Sequence, residues 1–109
     1  MERIYNKLVR DKIPNIIKEK GETPVVRILD ENEYKKELEK KLYEEYKEVI
    51  KAIGDDRVEE LADMLEVIRA LASLENKTLN DVITIADKKV KKRGAFKEKV
   101  FLEKVVESK

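Results

Sequence analysis

The sequence contains no cysteine, no histidine and no tryptophan, and only three glycines and two prolines. Each shortage removes a class of chemistry. Without cysteine there is no disulfide, no thiolate metal site and no sulfur nucleophile. Without histidine the commonest general base and the imidazole metal ligands are gone. A metal ion bound here must be held by oxygen, which favours Mg²⁺, with Mn²⁺ as the alternative, over Zn²⁺. No apolar run is long enough to cross a membrane and Met1–Arg10 has no signal-peptide pattern, so the expected location is the cytoplasm. A net charge of +1, from 25 basic and 24 acidic residues, leaves no global field to draw in a nucleic-acid polymer. Few breakers and many Lys and Glu suit long helices and an ion-pair-rich surface. With 109 residues the chain is expected to be a single domain, residues 1–109, with a modest core of its own.

What the chain does have is helical periodicity. Leu38, Leu42, Tyr46, Val49 and Ile53 share one stripe, and Val58, Leu61, Leu65, Ile68 and Ala72 share another. Met64, Val67, Leu71 and Leu74 widen the second stripe to more than half the circumference. A long helix beginning at Asp30 or Asn32 and ending at Ile53 is predicted, with Gly54 just past its end. Asp56 is expected to cap the next helix, Glu59 completing a capping box. That helix closes near Glu75–Asn76, and Thr78 with Asp81 starts a further helix through Leu79, Val82, Ile83, Ala86 and Val90, ended by Gly94. Near the start, Asp11 is expected to cap a short helix with Pro14 in its first turn and Gly21 at its end. The β-like runs near 24–29 and 100–106 are expected to pair as a small two-stranded element beside the helices.

Carboxylates recur three residues apart on the two long helices. Glu45 and Glu48 flank the first stripe, and Glu60 and Asp63 lie at the edge of the second. A turn at Gly54 would bring all four to one point beside the core. Converging carboxylates repel unless a cation sits among them, so the spacing points to a divalent-metal site. Acids are abundant in a chain with 45% charged residues, so the pattern also fits an ordinary solvated face. None of the four candidates has Lys or Arg four residues on; Val49, Ala52, Met64 and Val67 stand there. Glu44 points roughly 160° away from Leu42 and ranks below them. The basic group Lys7, Arg10 and Lys12 could reach a phosphate, or be a solvated face.

The combination of Glu44, Glu45 and Glu48 with Glu60 and Asp63 resembles the metal-binding signature of the all-α nucleoside triphosphate pyrophosphohydrolases, the MazG-like proteins and phosphoribosyl-ATP pyrophosphohydrolase among them. Ala86–Phe96 (ADKKVKKRGAF) looks like that group's third-helix pattern, and Tyr5–Pro14 (YNKLVRDKIP) like the opening of a small MazG-like subgroup. The resemblance implies a mainly α, antiparallel helix bundle and a Mg²⁺-dependent enzyme that cleaves a nucleoside triphosphate to a monophosphate and pyrophosphate. It implies metal ligation by Glu45, Glu48, Glu60 and Asp63, with Asp87 a further candidate. Glu45 or Glu48 would act as base, and Lys89 and Arg93 would contact the phosphates, with Arg10 and Lys12 in support. Phosphoribosyl-ATP is the alternative substrate, and a non-catalytic helical interaction module the alternative role. The broad apolar arc of the second long helix leaves a seam that a homodimer or larger homo-oligomer would cover.

Overall fold

The computed structural model describes residues 1–108 and is mainly helical. The order is α1 (Ile13–Glu19), α2 (Glu31–Lys51), α3 (Gly54–Leu74) and α4 (Leu79–Arg93). The body of the molecule is the pairing of α2 with α3. Two helices of 21 residues joined by two residues, and packed together along their length, must run antiparallel. Leu38 of α2 and Val67 of α3, 4% and 8% exposed, form the buried centre of that hairpin. Among the described helices, α4 contacts only α3. No helix among the described residues is long and apolar enough to cross a membrane.

The local signals account for most helix ends. Asp30 caps α2 by accepting a 2.9 Å hydrogen bond from the Glu33 amide. Thr78 and Asp81 form the expected capping box: the Asp81 amide donates to Thr78 Oγ1 at 3.1 Å, and the Thr78 amide to Asp81 Oδ2 at 2.9 Å. These bonds hold the Asp81 carboxyl below the usual carboxylate range, the Thr78 amide being the larger cause. Gly94, at φ +83°, ends α4 as expected. Pro14 sits at the start of α1, where a missing amide proton costs nothing.

Other expectations give way to tertiary geometry. Asp56 does not cap α3. The helix starts two residues earlier, at Gly54 with φ +60°, and Ile53 holds the cap position without a side-chain bond. The break is made instead by Ala52 and Ile53, both extended, and Arg57 Nε closes it with a 2.9 Å bond to the Ala52 carbonyl. Asp55 and Asp56 lie in the first turn, where they complement the helix dipole. Likewise Lys12, not Asp11, precedes α1.

The two-stranded element expected from residues near 24–29 and 100–106 is not formed: no strand occurs among the described residues. Neither run has regular secondary structure, and Val25, Val26 and Ile28 of the first and Val100, Phe101, Leu102, Val105 and Val106 of the second are exposed. Two short strands gain too little by themselves to close a loop of this length. The first run is tied to the start of α2 instead, Arg27 donating 3.2 and 2.8 Å hydrogen bonds to the two carboxylate oxygens of Glu33.

Candidate metal centre

The antiparallel hairpin mirrors the chain about Ile53. Glu45 lies on the ascending helix at about the height at which Glu60 and Asp63 lie on the descending one. Each offers a carboxylate oxygen, and the three oxygens lie within 4.8 Å of one another. All three side chains are half-buried. Glu48, one turn closer to the break, is exposed and outside this trio. Its charge still reaches Glu60.

The electrostatics are those of like charges crowded at the edge of a core. Partial burial, then the charges of Asp63 and Glu60, push the Glu45 carboxyl above the usual carboxylate range. Glu60 is pushed up as well, by desolvation first and then by Asp63 and Glu48. Lys41 opposes the shift at Glu45 only weakly. One cation does enter the cluster: Arg10 Nη2 lies 2.9 Å from Asp63 Oδ1. It arrives from 53 residues away in sequence.

The donor set fits a hard divalent cation. Oxygens bound to one Mg²⁺ lie roughly 3 to 4 Å apart, as ligand distances of about 2.0–2.1 Å require. Oxygens within 4.8 Å of one another need at most small side-chain rotations to reach that spacing. Cysteine and histidine are absent from the whole chain, so softer metals have neither thiolate nor imidazole to bind here.

No family model matches the chain. No solved structure matches it. Over 42 residues the chain is 50% identical to a protein of Mycolicibacterium smegmatis described as an uncharacterized protein. That stretch covers 38% of this chain and 43% of the relative's length.

The remaining site candidates are distributed as follows. Arg10 is at the acidic cluster, and Lys12 is exposed at the start of α1. Asp87, Lys89 and Arg93 are exposed on α4, and Asp87 does not join the carboxylate trio. Tyr43 and Tyr46 stack with ring centroids 6.1 Å apart, and Lys47 Nζ lies 4.7 Å from the centre of the Tyr43 ring. An open groove of about 380 Å³ lies at the α3–α4 turn, lined by Arg69, Ser73, Lys77, Thr78, Leu79 and Asn80, separate from the acids. The Arg10–Asp63 contact has no signal in the sequence, since no local pattern links the two positions.

A pH dependence follows from the raised carboxyls. Glu45 and Glu60 bind protons more tightly when folded than when unfolded, so their contribution is fully present below the unfolded carboxyl pKa. It is lost as pH rises through the raised folded values. In the presence of a chelator, the melting temperature of the wild-type protein should therefore rise, relative to a Glu45→Gln/Glu60→Gln variant, as pH falls from neutrality into the upper carboxylate range. Parallel melting curves for the two proteins would show that the acids are not coupled.

Proposed function

We propose that this chain is a Mg²⁺-dependent nucleoside triphosphate pyrophosphohydrolase with an antiparallel bundle of the all-α type. The observation that carries the reading is the trio Glu45, Glu60 and Asp63. Its carboxyls crowd together across the α2–α3 hairpin, two of them pushed above the usual carboxylate range, with Arg10 the one cation among the described residues bonded to them. Support comes also from the sequence resemblance, whose signature includes these positions. A cytoplasmic location suits an enzyme of nucleotide pools.

Glu45, Glu60 and Asp63 would hold the ion, with Glu48 beside Glu60. Bound Mg²⁺ supplies charge neutralisation on phosphate oxygens and lowers the pKa of a coordinated water. The chain's own residues do the rest. Glu45, already proton-avid, or Glu48 accepts the proton of the attacking water. The water oxygen forms a bond to the α-phosphorus, the bond from that phosphorus to the bridging oxygen breaks, and pyrophosphate leaves with the electron pair. Arg10, which bonds Asp63, would turn its guanidinium toward a phosphate oxygen of the substrate. Lys89 and Arg93 of α4 serve the same charge. Asp87 is a reserve ligand in this scheme. The stacked Tyr43–Tyr46 pair offers an apolar face for a nucleobase.

The test is a pyrophosphate-release screen over ribo- and deoxynucleoside triphosphates and phosphoribosyl-ATP, with and without Mg²⁺. Release that requires the metal is expected for at least one nucleoside triphosphate. Release from phosphoribosyl-ATP alone would reassign the substrate. No release from any of them, with no metal-dependent rise in melting temperature, would reject the enzyme reading.

A further inference from the structure

The first part of the chain is held to the hairpin by a single polar contact. Among the described residues, Arg10 Nη2 to Asp63 Oδ1, at 2.9 Å, is the one hydrogen bond that joins residues 1–22 to the rest. α1 packs against none of the other helices, and no residue from 1 to 22 is buried. Leu8, Ile13, Pro14 and Ile17 are only half-buried, so this part has no apolar anchor in the core.

The segment is nonetheless closed on itself. Arg3 Nη2 lies 2.8 Å from Glu22 Oε2, which ties its start to its end. The Gly21 and Glu22 amides donate to the Lys18 and Ile17 carbonyls at 2.9 and 3.2 Å and seal the end of α1. The Ile13 amide donates to the Arg10 carbonyl at 3.0 Å, so Arg10 belongs to the turn that starts that helix. Residues 23–29, without regular secondary structure, connect this loop to α2. Residues 3–22 can swing as one body about that connection, and Arg10 pins them.

Asp63 belongs to the carboxylate trio, so a divalent cation held there and the Arg10 guanidinium draw on the same carboxylate. Two cations a few ångström apart repel. The divalent ion has the greater charge and also the carboxylates of Glu45 and Glu60. Arg10 has Asp63 alone, in a pair whose side chains are 60% and 48% exposed, and a pair so exposed is weak. The metal wins the exchange. We propose that residues 3–22 form a strap latched on the acidic cluster by Arg10 and released when a divalent cation takes Asp63. The inference rests on the metal reading given above. It sets an order of events at that site: the Arg10 guanidinium is free for an anionic ligand only after the cation is in place.

The absence of cysteine gives a clean test, since spin labels can be placed at will. Lys18 on α1 and Lys36 on α2 are exposed, and labels on Lys18→Cys/Lys36→Cys report the distance from strap to hairpin. That distance should be narrowly distributed in chelator and broad in Mg²⁺. Adding Arg10→Gln should make it broad in both. Calorimetry should show Arg10→Gln binding Mg²⁺ up to about fivefold more tightly than the unmodified protein, and Arg10→Lys, which keeps the charge, close to it. A narrow distance that bound Mg²⁺ leaves unchanged overturns the strap and leaves the metal reading standing. So does Arg10→Gln with unaltered Mg²⁺ affinity, or a distance already broad in chelator. No Mg²⁺ binding at all overturns the metal reading and the strap with it. Should the labelled variants fail to fold, hydrogen exchange of the unmodified protein decides. A seven-residue helix is not stable alone in water, so the α1 amides must exchange faster when Mg²⁺ binds. Exchange that bound Mg²⁺ does not alter rejects the release.

Discussion

Glu45→Gln and Glu60→Gln are each expected to abolish Mg²⁺-dependent pyrophosphate release and to raise the melting temperature of the metal-free protein. The two effects have one origin. In the folded chain these carboxyls are desolvated and face each other and Asp63, so each negative charge opposes folding until a cation arrives. An amide of nearly the same shape removes the repulsion, and with it a ligand or the base. Loss of such a group costs turnover about 10²-fold or more. Asp63→Asn is expected to be equally inactive but close to neutral in stability, because it also gives up the bridge to Arg10. That bridge joins two groups that are about half-exposed and is worth at most about 1 kcal/mol. Glu48→Gln should lower turnover with little change in stability, since Glu48 is exposed and outside the trio. Assays of turnover beside melting curves in chelator separate these cases. If Glu45→Gln lowers the melting temperature and keeps activity, the acids are structural ion-pair partners and the site assignment fails.

Hydrolysis in ¹⁸O-labelled water is expected to place the label in the nucleoside monophosphate and none in pyrophosphate. The outcome is all-or-none, because it reports which phosphorus the water attacks. The three glycines, Gly21, Gly54 and Gly94, are far apart, and Gly54, which starts α3, stands alone and forms no glycine-rich phosphate loop. The sequence therefore has no glycine-rich loop to mark the terminal phosphate for removal. The candidate cations, Arg10 at the acidic cluster and Lys89 and Arg93 on α4, suit a departing pyrophosphate with its several charges. Label in orthophosphate, with a nucleoside diphosphate as the other product, would overturn the mechanism while leaving the metal centre standing.

How much of this molecule could be read from residues alone differs by element. The long helices, the Asp30 cap, the Thr78–Asp81 box and the stop at Gly94 are local matters. Each depends on residues within one turn, and the sequence states those directly. The acidic cluster was legible for the same reason at one remove. Spacing places Glu45 and Glu48 on one flank and Glu60 and Asp63 on another, and a two-residue break leaves the helices little choice but to fold back.

What only the tertiary structure decided lies where distant parts meet. The angle at the break chose Glu45, Glu60 and Asp63 as the trio and left Glu48 outside, because helix rotation at Ala52–Ile53 is set by the packing of α2 on α3. It also moved the start of α3 to Gly54, so that Asp56 lost its capping role. It brought Arg10 onto Asp63, a pairing over 53 residues that no periodicity announces. The runs near 24–29 and 100–106 have β-like composition yet remain unpaired, because strand propensity is realised only where a partner edge is within reach. Periodicity could say that α3 and α4 have apolar faces; only their places in the fold left Leu61 and Ile83 uncovered.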